Sequence, residues 1–167
     1  VRLRNLLLSL LSYVFYGWAN PAFVFLMFGT TVVSFVAGRA MGKTGSRGKR
    51  RAWLLVGLSA SLGALGFFKY FNFGIDTWNA WAAAAGLEGL HLGILFRVVL
   101  PLGLSFYTFQ AISYLVDIYR RDAEPIGGFL DYATYIAMFP QLVAGPIVRY
   151  GTIRHQLTNR VVNPDRM

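Results

Sequence analysis

The stretch from Ala52 to Phe73 holds one charged residue, Lys69, in an otherwise apolar or small-residue run. At about 1.5 Å per residue its roughly 22 residues reach some 33 Å as a helix, enough for a hydrocarbon core of about 30 Å. A chain built around such a run has few options: backbone polar groups in lipid must be satisfied internally, which selects helices. The rest of the sequence repeats the theme. Leu6 to Trp18 is apolar and is followed by Asn20 and Pro21, a pair that ends a helix because proline lacks an amide hydrogen and restricts its predecessor. Ala22 to Ala40 and Val98 to Tyr119 are further apolar blocks. Phe129 to Val148 is apolar too, but Pro140, Gly145 and Pro146 interrupt it, which predicts a re-entrant segment rather than an unbroken crossing.

Only 14% of residues are charged, against about a quarter in ordinary soluble domains, so the expected class is all-α: a polytopic transmembrane helical bundle forming a single membrane domain over 1–167. The net charge of +9 raises nucleic acid as a partner, but a nucleic-acid binder spreads its basic residues over a solvated face, whereas these lie between apolar runs. The expected surroundings are a lipid bilayer. The chain has no cysteine, which removes disulfides and thiolate metal sites. It starts at Val1 and ends at Met167, just after a polar stretch, as a piece of a longer protein would. No cleaved signal is expected, because the first apolar stretch leads into more membrane-like sequence.

Charge sets an orientation. Arg39, Lys43, Arg47, Lys49, Arg50 and Arg51, six of the 16 basic residues, predict a basic cytoplasmic loop over 39–51. Tyr70 to Phe96 has no Lys or Arg and carries Asp76 and Glu88, as the opposite face would. Arg120 and Arg121 bring the chain back, and Arg149, Arg154, Arg160 and Arg166 keep it there, so the 129–148 region starts and ends on one side. Lys69, ringed by Phe67, Phe68, Tyr70, Phe71 and Phe73, is placed near the far end of its span. It either snorkels to the interface within an aromatic belt or turns inward to a polar pocket.

Motif look-alikes carry no chemistry. GRAMGKT at 38–44 is one residue short of a phosphate-binding loop and lacks a preceding strand. Gly103, Leu104 and Ser105 begin a nucleophile elbow, but Tyr107 occupies its second glycine position. His91 and His155 are too isolated for a metal cluster. Within Val98 to Tyr119 the polar residues Tyr107, Thr108, Gln110, Ser113, Tyr114 and Asp117 recur, and Gln110, Ser113, Tyr114 and Asp117 share one helical face. Such a stripe is either a tunnel wall or a set of helix-to-helix hydrogen bonds.

LLSYVFYGWANPAFVFL, LGFFKYFNF, LPLGLSFYTFQAISYLVDIYRR and DYATYIAMFPQLVAGPIVRY, in this order and spacing, resemble the membrane-bound O-acyltransferase family, most closely its bacterial alginate O-acetylation branch. The resemblance runs from Arg4 to Leu157. It implies a bowl-shaped helical bundle in the bacterial inner membrane, crossed by a tunnel in which an acyl group passes to an acceptor hydroxyl. The implied acceptor is an exported polysaccharide such as alginate. The implied donor is acetyl-CoA or an acylated carrier as co-substrate, with no bound cofactor, and periplasmic or membrane partner proteins are expected. The family's catalytic His lies downstream of the matched region, and neither His91 nor His155 matches it. No catalytic residue is therefore expected within the chain; the resemblance implies one downstream of Met167. The substrate or tunnel candidates are Tyr107, Gln110, Tyr114, Asp117, Gln141 and Arg149, with Pro140, Gly145 and Pro146 shaping the re-entrant turn. Arg149 is either a contact for the donor's phosphates or a positive-inside anchor. A transporter and a non-catalytic membrane subunit are the alternative readings; no inverted repeat supports the former.

Overall fold

The computed structural model describes residues 2–87, 89, 92–93 and 97–138, and within them the chain is helical with no strand. Five helices follow one another: α1 (Arg2–Ala19), α2 (Pro21–Lys43), α3 (Arg47–Ala84), α4 (Leu104–Arg120) and α5 (Phe129–Ala137). Helix α2 is central and touches all four others; α3 packs on α2 and α4, and α1 on α2 and α5. Helices α2 and α3 are long and apolar enough to cross a membrane. The apolar surface left outside is extensive, with Trp18 at 89% and Phe25 at 77% exposure. In water that pattern would be costly; in lipid it is not.

Local chemistry explains several helix ends. Asn20 separates α1 from α2, its side-chain oxygen accepting the Ala22 amide at 3.0 Å, and Pro21 opens α2 where its missing N–H costs nothing. Helix α3 ends on Gly86 at φ +71, with the Leu87 amide donating to the Ala82 carbonyl at 2.9 Å. That left-handed turn suits glycine, which has no Cβ to clash.

Three expectations need correction. The basic loop over 39–51 is only three residues wide, Thr44 to Ser46; Arg39 and Lys43 lie on α2, and Arg47 to Arg51 on α3. Helix α3 does not stop at Phe73. It runs 38 residues to Ala84, about 57 Å at 1.5 Å per residue, because no proline interrupts it and the alanines at 80 and 82–84 favour helix. Lys69 therefore lies within α3 rather than near its end. It is exposed, with Nζ 5.6 Å from the centre of the Tyr70 ring. Finally, Val98 to Pro101 is not helical, and α4 begins only at Leu104 after Gly103 in a left-handed conformation.

That non-helical segment lies against the outer half of α3. Asn72 grips Val98 twice, its amide donating to the Val98 carbonyl at 2.7 Å and its oxygen accepting the Val98 amide at 3.0 Å. One α3 face seven residues on, Asn79 holds Leu92 in the same way at 3.1 and 2.9 Å. Each asparagine supplies one donor and one acceptor, so it substitutes for a neighbouring strand where none exists.

At the opposite end, α4 stops against the start of α3. The buried Arg50 guanidinium donates to the carbonyls of Ile118 at 2.7 Å and Tyr119 at 2.9 Å, satisfying groups that a helix C-terminus leaves open. Arg39 donates similarly to the Gly127 carbonyl at 2.7 Å. The basic segment around the α2–α3 turn and the pair Arg120–Arg121 thus share one end of the bundle, as the charge pattern requires.

Candidate functional site

The polar face of α4 is folded into the interior. Tyr107, Thr108, Gln110 and Tyr114 are buried, while Ser113 and Asp117 are half-buried. A residue spacing of three, four and seven puts Tyr107, Gln110 and Tyr114 on the side that meets α1, α2 and α5.

Tyr114 is the best-defined of them. Its ring lies over Tyr132 of α5 with centroids 4.5 Å apart and passes so close to Gly38 of α2 that a Cβ there would stand 2.5 Å from ring carbon Cε1. Gly57 of α3 makes the matching approach to Leu115, where a Cβ would meet Cδ1 at 2.5 Å. Glycine at these two helix positions lets α4 sink against α2 and α3. Tyr132 then donates its hydroxyl to Ser34 Oγ at 2.8 Å, and Ser34 in turn donates to the Thr30 carbonyl at 2.7 Å. Tyr135 lies 6.2 Å from Tyr132, ring to ring. Nearer the start of α4, Tyr107 meets Tyr16 of α1 edge to face at 6.4 Å. The result is a chain of buried tyrosines linking four helices.

A second polar seam joins α1 to α5. Asn5 donates to Asp131 Oδ1 at 2.8 Å, and the hydroxyls of Ser9 and Thr134 are 2.7 Å apart. This seam is a helix-to-helix hydrogen-bond set of the kind expected where polar side chains face one another in a membrane bundle.

The α4 stripe behaves differently. The buried hydroxyls of Tyr16 and Tyr107 interact with each other, while those of Thr108 and Ser113 are buried without a hydrogen-bond partner among the described residues. Most buried polar atoms in folded proteins are satisfied, so two unspent hydroxyls on one helix are uncommon. Such groups can donate to an oxygen that gains negative charge, and they do so more strongly where water is absent. They cannot act as a base at neutral pH. Asp117 contributes mainly through its backbone, its carbonyl accepting the Asp122 amide at 2.9 Å in the turn that ends α4.

Of the candidates named from sequence, the structure brings Tyr107, Gln110 and Tyr114 into one buried layer and leaves Asp117 at its edge. Gln141, Arg149, Pro140, Gly145, Pro146 and both histidines lie outside the described residues. So does Met167, and the catalytic His expected downstream of it falls outside the chain altogether. Sequence reading passed over Ser34, Tyr132 and Tyr135, whose importance depends on which helices meet. The one available signal was DYATYIA, where two tyrosines sit three residues apart on a short apolar helix. Among the described residues no group of three His, Asp or Glu could hold a metal ion.

Comparison with known proteins gives this geometry a context. A Pseudomonas syringae protein named "Probable alginate O-acetylase AlgI" is 43% identical over 166 residues, 99% of this chain and 32% of the relative. Over nearly its whole length the chain is similar to proteins named as alginate O-acetylases. The like-named Pseudomonas aeruginosa protein is 39% identical, again over 99% of the chain and 31% of the relative. A Helicobacter pylori protein named "Peptidoglycan O-acetyltransferase" is 32% identical over 93% of the chain and 33% of the relative. The chain spans about a third of the length of the curated relatives it matches. No family model and no solved structure matches it.

Proposed function

We propose that this chain is the N-terminal part of a multi-pass bacterial inner-membrane O-acetyltransferase that transfers an acetyl group from a cytoplasmic donor to a hydroxyl of an exported polysaccharide such as alginate. The observation that carries this reading is the match to alginate O-acetylases along 99% of the chain. One relative is named for peptidoglycan instead, so the acceptor class is a polysaccharide hydroxyl, with alginate as its first member. The donor is acetyl-CoA or an acylated carrier, and further membrane or periplasmic proteins deliver or receive the polymer.

In the reaction the acceptor oxygen attacks the acetyl carbonyl carbon, a base takes the hydroxyl proton, the carbonyl oxygen becomes negative and the donor's thiolate departs. The base is the family's His, downstream of Met167. The described helices contribute a water-poor wall, with the hydroxyls of Thr108 and Ser113 as donors still unspent, and Tyr107, Gln110 and Tyr114 beside them. The arginine-rich end faces the cytoplasm, in keeping with the excess of basic residues there. From the sequence alone, Gln141 and Arg149 are the candidates for a cytoplasmic mouth, with Pro140, Gly145 and Pro146 as its turn.

The test is to express the full open reading frame in a membrane fraction, with and without its downstream His changed to Ala, and follow labelled acetyl groups into polysaccharide. Transfer that requires the His supports the reading. Absence of transfer in the unaltered protein, or transfer that survives without the His, would turn the assignment towards a transporter or a structural subunit.

A further inference from the structure

Where α2 passes into α3 and α4 stops, Gly45, Arg47, Arg50, Tyr119, Arg120 and Arg121 line an open cavity of about 420 Å³. That volume falls within the range of about 300–1,000 Å³ usual for small-molecule sites. Of its six described lining residues four are arginines and none is a carboxylate. Guanidinium groups gathered this way repel one another unless an anion joins them. Arg50 cannot swing away, because it is buried and tied to the Ile118 and Tyr119 carbonyls.

Two backbone features point to the same conclusion. Helix α3 starts at the cavity with no side-chain cap from Ser46 and no acidic residue in its first turn. The positive end of a helix of 38 residues therefore meets the arginines with only the α4 carbonyls of Ile118 and Tyr119, which engage Arg50, to offset it. The second feature is Arg121. It adopts φ +68 and is the one non-glycine residue with positive φ among those described. Its turn repeats the one that ends α3: the Asp122 amide donates to the Asp117 carbonyl at 2.9 Å, as the Leu87 amide does to Ala82. At the end of α3 the left-handed position is Gly86; here it is a long, strained side chain that lines the cavity. A glycine at this position would relieve the backbone strain and would take the side chain out of the cavity wall.

We propose that this cavity is a phosphate-binding site. Guanidinium forks match phosphate oxygens two at a time, and the free amides of a helix start add further donors. The phosphate belongs either to a soluble phosphate ester arriving from the aqueous side or to the headgroup of an anionic lipid. The site extends beyond the acetyl-transfer reading; it deepens that reading where the soluble ester is the acyl donor, and in that arm it rests on it.

The experiment uses the full-length protein in detergent or nanodiscs, with Arg120→Gln and Arg121→Gly as variants. Calorimetric titration with coenzyme A probes the soluble source. Retention of phosphatidylglycerol over phosphatidylcholine, read by native mass spectrometry, probes the lipid source. One of the two probes binds the unaltered protein, and each variant weakens it by about tenfold or more, as loss of a charge-assisted phosphate contact requires. Arg121→Gly is the sharper variant, because glycine relaxes the turn: its thermal midpoint holds or rises while binding falls, which misfolding cannot produce. Loss of coenzyme A binding identifies the soluble source and loss of phosphatidylglycerol the lipid. If neither probe binds the unaltered protein, or both variants bind as it does, the cavity is an anchoring cluster of arginines and the proposal fails. Acetyl transfer is scored separately, so unimpaired transfer in both variants together with unchanged binding removes the site and leaves the functional reading intact.

Discussion

The seam where α2, α3 and α4 meet and the outer half of α3 are held by different physics. In the seam, Gly38 and Gly57 admit Tyr114 and Leu115 at distances where a single added carbon would collide. In the outer half, from Asn72 to Ala84, most side chains are exposed, and the returning chain is fastened by two asparagines. The seam depends on shape and the outer half on directed hydrogen bonds. Shape tolerates almost nothing, because a packed interior has no free volume to receive an atom. Hydrogen bonds at a half-open surface can be partly replaced by water.

The largest effect expected from that contrast is at Gly38. Gly38→Ala sets a Cβ against a Tyr114 ring that is fully buried between α2 and α5. Overpacking of this kind costs about 1–3 kcal/mol, or more where the neighbour cannot yield. Thermal unfolding of the full-length protein in detergent should show a clear drop in midpoint. Trimming the opposing ring with Tyr114→Ala in the same molecule should recover part of it, making the pair non-additive. Independent, additive losses would mean that α2 and α4 do not meet through these two residues.

Next in size is Asn72→Ala in the outer half. It removes both bonds to Val98 and leaves a partly buried amide and carbonyl without protein partners. Each lost bond is worth about 0.5–1.5 kcal/mol, with water compensating part of the total. Hydrogen exchange at the Val98 amide reports the change directly: it should quicken in the variant while exchange in α2 and α4 stays as it was. Protection lost throughout the protein would show that the clamp supports the seam, and the contrast between the regions would weaken.

Tyr132→Phe returns to the seam and asks how much of it is hydrogen bonding after all. The variant keeps the ring against Tyr114 and deletes only the 2.8 Å bond to Ser34. Ser34 still bonds to the Thr30 carbonyl, so nothing there is left without a donor. A loss of about 0.5–1.5 kcal/mol is expected, below that of Gly38→Ala. A loss as large as the glycine variant's would assign the seam to its polar contacts instead of its shape.

How far this could be read from sequence follows the same division. The break at Asn20 and Pro21 was legible because both effects, a capping side chain and a missing amide hydrogen, act within three residues. The apolar runs announced helices and a membrane because lipid imposes that pattern residue by residue. The end of α3 was not legible: Phe73 closes the apolar run, but helix propensity and the grip of Asn72 and Asn79 on a segment some 13 to 26 residues away carry the helix onward. The late start of α4 has the same origin, since Val98 is claimed by Asn72. Tyr107, Gln110 and Tyr114 were found because helical spacing alone aligns them. Ser34, Tyr132 and Arg50 were missed because their partners lie 98, 98 and 68 positions away in the chain.

The smallest effect belongs to the outer half's charged contact. Asp76 on α3 approaches Arg97 at 3.8 Å, with the side chains 51% and 71% exposed. A pair this open gains little, because water screens the attraction and two flexible side chains must be held still; measured values for such pairs cluster between about 0 and 1 kcal/mol. Asp76→Asn should therefore leave the unfolding midpoint nearly unchanged, and raising the salt concentration should do no more. Arg97 sits just before Val98, so the ion pair and the Asn72 clamp act on adjacent residues of one non-helical segment. If Asp76→Asn quickened exchange at the Val98 amide as much as Asn72→Ala does, the clamp would depend on the ion pair for its position. The outer half would then be a cooperative charged network instead of two separate asparagine grips.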